Sequence, residues 1–504
     1  MLHFLFFIWI TLVYGQQPCN ISQLQNYSDF SIAYQSSFIY LSGGNPAETS
    51  LWRLNLRNGL NVSCLPWEEL QPVDTFNIIQ PYMYGISFET LTNDVFIQAG
   101  DSLISSSSMD AGILYNTSAN SWVQVQSTGN SPSVRAEMTA TMNTTSHQAW
   151  YYGGRNTQAQ QHQRNFNYYN DFYAFDTTDS TWIWPNVNYN GGVRPARYGH
   201  TANLIQGQLF ILGGKTAMIN ATTNTWIVDG ADFRSVLVFD TISYNAISMA
   251  TIGNIPQGLA RFSAVNSPDG RSIVIFGGKV LDSVFTPTQD VYVLDSCTLS
   301  WSRPNIQGQP PSARAGHEAI AYGQYMIVIG GIVSVQATNT SQQGIVTYAQ
   351  DFGILDLLSW TWVPSIPTNY SPSTVQQTPA CRFDMPNYSS DSTSGNNGDG
   401  LPYDSTVVSN PYGQTSTALK EGLGITFGLL GVLLLGAAAW YVRRMRKNAR
   451  AINPRWLGGF WKQPSSASST RSTRSSTTSA CSSIPPLKND NKDPVPLVHI
   501  SQHA

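Results

Sequence analysis

Ile273-Val274-Ile275-Phe276-Gly277-Gly278, then Asp290-Val291-Tyr292-Val293-Leu294-Asp295, then Trp301 six residues past the last aspartate, is the stretch from which the chain can be read. The same order of signals occurs at Trp150-Tyr151-Tyr152-Gly153-Gly154, Asp171-Phe172-Tyr173-Ala174-Phe175-Asp176 and Trp182. It returns at Met326-Ile327-Val328-Ile329-Gly330-Gly331, Asp351-Phe352-Gly353-Ile354-Leu355-Asp356 and Trp362. A fourth copy has Leu209-Phe210-Ile211-Leu212-Gly213-Gly214 and Val236-Leu237-Val238-Phe239-Asp240, with Ala246 where the tryptophan should fall. The apolar runs are too hydrophobic to be half exposed, as expected of strands buried between packed layers. A diglycine at the end of such a run marks a backbone that turns sharply or is approached closely.

Two weaker copies complete the set. Tyr40-Leu41-Ser42-Gly43-Gly44 precedes Leu51-Trp52-Arg53-Leu54-Asn55, with Trp67 displaced by an insertion. Phe96-Ile97-Gln98-Ala99-Gly100 precedes Ile113-Leu114-Tyr115-Asn116, with Trp122 six residues on. A period of about fifty to sixty residues belongs to solenoids and propellers. The set resembles the kelch repeat, marked by a strand ending in Gly-Gly, a Tyr-rich strand ending in Asp, and a spaced Trp. The resemblance implies an all-β fold: a six-bladed kelch-type β-propeller over 27–366, with four antiparallel strands per blade. Tyr and Trp then serve to pack neighbouring blades.

Outside the repeats the chain reads as a membrane protein. Phe4–Val13 is an apolar run too short to span a bilayer, which predicts a signal peptide over 1–15 and a flank over 16–26. Leu423–Val442 is 20 residues without a charge, and at about 1.5 Å rise per residue it matches the hydrocarbon core. Arg443, Arg444, Arg446 and Lys447 follow it, which predicts a cytoplasmic C-terminus and a single-pass type I topology. The propeller is then extracellular or lumenal. Residues 367–418, rich in Pro, Ser, Asn and Gly, read as a flexible stalk. The tail over 443–504 is basic and Ser/Thr-rich, suited to disorder and to cytosolic protein partners or anionic lipid. It carries a net charge of +9 against −12 for the rest of the chain, and an acidic ectodomain excludes nucleic acid as its expected partner.

Charged residues are only 11% of the chain and aromatic residues 12%, a balance suited to many short strands and turns on a secreted surface. Sequons stand at Asn20, Asn26, Asn61, Asn116, Asn143, Asn220, Asn339, Asn369 and Asn387, none of them beyond the span. Cys19, Cys64, Cys297 and Cys381 lie on the oxidising side, which predicts two disulfides. Cys19–Cys64 with Cys297–Cys381 is the expected pairing, and a Cys19–Cys381 bond closing the ring is the alternative.

A ligand face is expected where the loops between second and third strands emerge: Arg155–Asn170, Lys215–Ser235, Lys279–Gln289 and Ile332–Gln350. Arg155, Tyr168, Tyr169 and Trp226 lie on these loops. Arg135, Arg197, Arg261 and Arg314, each opening a repeat, fall near the same rim. They either line this face, as the kelch resemblance implies, or hydrogen-bond the blade backbone. His200 and His317 recur at one repeat position and read as strand residues. No nucleophile elbow, zinc motif or phosphate loop occurs, so the expected function is non-catalytic and cofactor-free: recognition, adhesion or scaffolding by binding a protein or glycan. The alternatives are a membrane-tethered copper radical oxidase, since galactose oxidase also carries kelch repeats, and a structural surface glycoprotein.

Overall fold

Each apolar run that ends in two glycines is the second strand of a four-stranded antiparallel sheet. The fifth sheet shows the unit: Ser263–Asn266, Ser272–Phe276, Val291–Asp295 and Ser300–Ser302 pair in sequence order. Equivalent sheets lie within 31–70, 86–124, 139–183, 201–250 and 318–362. These coordinates are a computed structural model describing residues 26–45, 47–75, 77–102, 112–156, 167–190, 194–281, 285–336, 345–372 and 381–385, and among them every regular element is a strand. No helix there is long and apolar enough to cross a membrane. The signal segment, the 423–442 span, the tail, Cys19, Asn20, Asn339 and Asn387 lie outside the described residues.

The aspartate that ends each third strand has a local cause. Asp176, Asp240, Asp295 and Asp356 turn a carboxylate oxygen onto backbone N–H groups two or three residues ahead. Asn55 and Asn116 do the same in the two weak copies. Such Asx turns reverse the chain at little cost. Ser180, Tyr244, Leu299 and Trp360, four residues on, take positive φ and start the fourth strand. The tryptophan six residues past the aspartate then points into the seam between two sheets.

Every seam holds its own apolar cluster. Trp122 lies in the cluster shared by the first and second sheets, and Trp182 in that of the second and third. Trp301 fills the seam of the fourth and fifth sheets, and Trp362 that of the fifth and sixth, in the same way. The fourth sheet, with Ala246, is the exception. Its cluster is filled from the preceding sheet by Trp150, whose ring lies 5.3 Å from that of Phe239. A sixth cluster joins Ile39 and Leu54 of the first sheet to Ile327 and Ile354 of the sixth.

Diglycines stitch the same seams. Gly44, Gly154, Gly214, Gly278 and Gly331 donate their N–H groups to carbonyls of Tyr82, Arg197, Leu259, Arg314 and Tyr27, each four residues before the first strand of the next sheet round. Gly153, at φ +71°, shows why a side chain is excluded: a Cβ there would lie 2.4 Å from the Arg197 carbonyl oxygen. Linkers add a third stitch. Thr128–Gly129, Asn188–Asn190 and Ile252–Gly253 each run parallel to the fourth strand of the sheet that follows. After the sixth sheet, Ser365–Ile366 pairs with Leu60–Asn61, which lies between the third and fourth strands of the first.

Candidate functional site

At the start of each first strand one residue takes positive φ: Asp29, Tyr84, Glu137, Gly199, Arg261 and Gly316. Their backbones form a closed circuit. Asp29 N–H donates to Gly316 O, Tyr84 to Asp29, Glu137 to Tyr84, Gly199 to Glu137, Arg261 to Gly199, and Gly316 to Arg261. Four of these positions carry side chains in a backbone conformation that glycine occupies without strain, and such strain gathers at functional sites. All four turn onto the axis. Arg261 pairs with Asp29, and Arg155 bonds Glu137 at 2.9 Å and lies 3.9 Å from Asp101. The Tyr84 ring sits 5.6 Å from the Arg155 guanidinium and 5.5 Å from that of Arg261.

Burial alone would lower the affinity of Arg155 and Arg261 for their protons. The surrounding carboxylates outweigh it and hold both above the ordinary arginine range. Below this charged mouth lies a cavity of about 230 Å³ lined by all six first strands. His200 and His317 face its wall, sharing hydrogen bonds with Thr139 and Ser263 of the preceding sheet. Burial lowers both imidazoles, His317 to about 3, and a nearby arginine adds to the effect. Glu318 faces the cavity, and burial, with Asp29 adding to it, raises its carboxyl to about 8. Among the described residues no group of three His, Cys, Asp or Glu side chains is placed to hold a metal ion.

Of the strand-opening arginines, three are buried against the backbone of their own repeats. Arg135, Arg197 and Arg314 are 3%, 5% and 0% exposed, and each donates to the carbonyl of the first glycine in its own repeat: Gly153, Gly213 and Gly330. Arg135 and Arg314 also pair with Asp171 and Asp351. They hold the blade backbone rather than line a rim. Arg261 departs from that set, because Leu259 occupies the repeat position of Arg197 and Arg314. Arg261 lies two residues further on, in the axial circuit.

Two of the stretches read as loops are hairpins. Lys215–Asn220 pairs with Thr225–Gly230 and, on its other side, with Ala196–Tyr198. Ile332–Gln336 pairs with Ile345–Tyr348. The first hairpin leaves directly after Gly213-Gly214, on the face that carries the axial circuit. It exposes Met218, Ile219, Ile227 and Val228 at 46%, 55%, 54% and 38%. Near its turn Trp226 meets Tyr168 edge-on at 5.1 Å, and Tyr168 stacks on Tyr198 at 5.3 Å. Tyr169 is drawn elsewhere, under the Arg135 guanidinium at 3.8 Å. Tyr198 carried no signal in the sequence apart from its place in the repeat opening.

Residues 85–232 and 223–386 match the KLHDC2/KLHL20/DRC7 Kelch-repeats domain. The chain belongs to this kelch-repeat family. Among curated relatives, "Acyl-CoA-binding domain-containing protein 5" of Arabidopsis thaliana is 25% identical over 252 residues, covering 48% of this chain and 33% of the relative. "Acyl-CoA-binding domain-containing protein 4" of the same plant is 29% identical over 151 residues, covering 30% of this chain and 20% of its own. "Kelch domain-containing protein 10" of Xenopus tropicalis is 27% identical over 175 residues, or 35% of this chain and 39% of that one. This kelch chain spans a third or less of the length of the first curated relatives it matches. A solved structure titled "Structure of YjhT" covers 67% of this chain and 97% of its own at 14% identity, with a TM-score of 0.46.

The kelch chain also carries the expected Cys297–Cys381 disulfide, with Cα atoms 5.0 Å apart. Cys64 is disulfide-bonded as well. Residues 381–385, inside the stretch read as a free stalk, return to the fourth sheet. Arg382 pairs with Asp240, and Phe383 exchanges backbone hydrogen bonds with the Gln208 side chain. Asn26, Asn61 and Asn369 are exposed, while Asn116, Asn143 and Asn220 are half-buried at turns.

Proposed function

We propose that the six sheets make one six-bladed kelch propeller that acts as a non-catalytic protein-recognition module. Its binding surface is the face bearing the Lys215–Gly230 hairpin, the Tyr168–Tyr198–Trp226 cluster and the axial mouth. The exposed Met218, Ile219, Ile227 and Val228 carry this reading. Apolar side chains grouped on a projecting hairpin gain by being covered, and rigidly backed aromatic residues are efficient anchors. The charged mouth beside them supplies polar contacts that fix orientation. Uncharged residues over 423–442, flanked by arginines, support a membrane-anchored protein that presents this face outside the cytosol. A basic Ser/Thr-rich tail would then lie in the cytosol.

The test places aspartate at two facing hairpin positions, Met218→Asp and Ile227→Asp, which are cross-strand partners. Proximity labelling from the full-length protein on intact cells should identify a set of neighbours that the double variant loses while its thermal unfolding is unchanged. An identical set for both proteins would remove the hairpin from the binding surface.

A further inference from the structure

The end of the propeller opposite the axial circuit carries the turns between first and second strands and the Asx turns after the third strands. Here residues 381–385 lie across the fourth sheet without forming a strand. They are held by side chains. Gln208, fully buried, donates from Nε2 to the Phe383 carbonyl at 2.8 Å and accepts the Phe383 N–H on Oε1 at 2.9 Å. Both backbone groups of one residue are thus read by one amide. Arg382 Nη2 donates to both oxygens of Asp240 at 2.8 and 2.6 Å, and its Nη1 donates to the Gln206 carbonyl at 3.0 Å. Phe383 and Met385 pack against the apolar cluster of the fourth and fifth sheets, the Phe383 ring 6.3 Å from that of Phe210.

Asp240 is itself prepared for a cation. Its side chain is 2% exposed, and one oxygen also accepts the backbone N–H groups of Ile242 and Ser243. Burial works against its ionisation, but these donors, Gln208 and Arg382 together hold the carboxyl below its ordinary range. The corresponding Asp176, Asp295 and Asp356 are half-buried; Asp295 pairs with Arg271 and Asp356 accepts from Gln324, both from the turn of their own sheet, and none of the three meets a returning segment among the described residues. A backbone clamp, a buried carboxylate for a guanidinium and an apolar seat for the next side chain are the parts of a peptide-recognition site.

We propose that this surface of the fourth sheet is a docking site for an extended peptide bearing an arginine followed by an aromatic residue. The chain's own Arg382–Phe383 occupies it, and the Cys297–Cys381 disulfide holds that segment in place. The covalent link makes the internal segment an intramolecular competitor at high effective concentration, so an outside peptide binds only after the segment is released.

The test uses the full-length protein and a fluorescent nine-residue peptide with the sequence of 379–387, serine replacing the cysteine. Two strap-disabled chains are compared with the native one: Cys297→Ala/Cys381→Ala/Arg382→Ala/Phe383→Ala, and Arg382→Ala/Phe383→Ala with the disulfide kept. Thermal unfolding shows which variants are folded. The disabled chains should bind the peptide at least tenfold more tightly than the native chain. A peptide with arginine changed to alanine should lose at least tenfold of that binding, a comparison that leaves the protein untouched. Absence of binding to a folded disabled chain, equal binding to the native chain, or indifference to the peptide's arginine would each overturn the proposal.

Discussion

Arg261 and Leu259 show what one position decides. Both stand in a short run that looks like the other repeat openings, yet the main-chain pairing makes Leu259 the counterpart of Arg197 and Arg314. Sequence placed an arginine near the mouth. It could not tell that three of its companions would be consumed by glycine carbonyls, because that depends on a contact sixteen or eighteen residues away. Histidine behaves more simply. At two seams a histidine meets a hydroxyl of the preceding sheet, and at the seam between sixth and first sheets the same repeat positions hold Phe30 and Glu318. Glu318 is therefore an acid with no imidazole across from it, and burial pushes its carboxyl up to about 8.

A native carboxyl raised above its unfolded value near 4.3 retains a proton that the unfolded chain has lost, so its contribution falls as pH rises towards 8. The two imidazoles work in the opposite sense. Held below their unfolded value of 6.5, they cost stability as pH drops beneath it. The imidazoles thus weaken the fold on the acid side, and Glu318 weakens it on the alkaline side. Thermal unfolding of Glu318→Gln between pH 6 and 9 should lose the alkaline decline, leaving the variant more heat-resistant than the parent at pH 8 by a few degrees. Parallel curves for the two proteins would show that Glu318 does not set that decline.

Among the elements, third strands were the most legible, since an Asp or Asn, an Asx turn and a tryptophan are all local. The fourth sheet tests how far that grammar reaches. Ala246 replaces the tryptophan, and Trp150 from the second strand of the neighbouring sheet fills the seam instead. Trp150→Ala should therefore cost about 3–5 kcal/mol in urea unfolding, as for other buried large-to-small changes. Adding Ala246→Trp to it should recover part of the loss, because the volume returns from the facing strand. A loss below 1 kcal/mol for Trp150→Ala would mean that the seam collapses without it. The hairpin Lys215–Gly230 read as a loop because one of the two partners of its first strand, Ala196–Tyr198, comes from earlier in the chain. Arg382–Phe383 was lost in a polar, proline-rich stretch, where composition hides a specific contact.

At the scale of the molecule, the circuit through Asp29, Tyr84, Glu137, Gly199, Arg261 and Gly316 needs every sheet. Removing 314–366 takes away Gly316 and leaves the Asp29 N–H and the Arg261 carbonyl without partners, along with a bare apolar seam on each side. Such a chain should show no cooperative thermal transition, whereas the intact protein should unfold in a single one. A sharp transition in the truncated chain would mean that the sheets are stable as an open array.

The linker strands bear on how the protein is made. Each sheet from the third to the fifth receives its outermost strand from the segment that precedes it in the chain, so that segment leaves the ribosome before the sheet it shields. Ser365–Ile366, which pairs with Leu60–Asn61 between the third and fourth strands of the first sheet, emerges only after the sixth. Until then the Leu60–Asn61 strand beside the earliest-made sheet waits without that partner, the kind of edge that invites mispairing with other nascent chains. A chaperone acting on this protein during synthesis would have most to do there, at the oldest part of the growing chain.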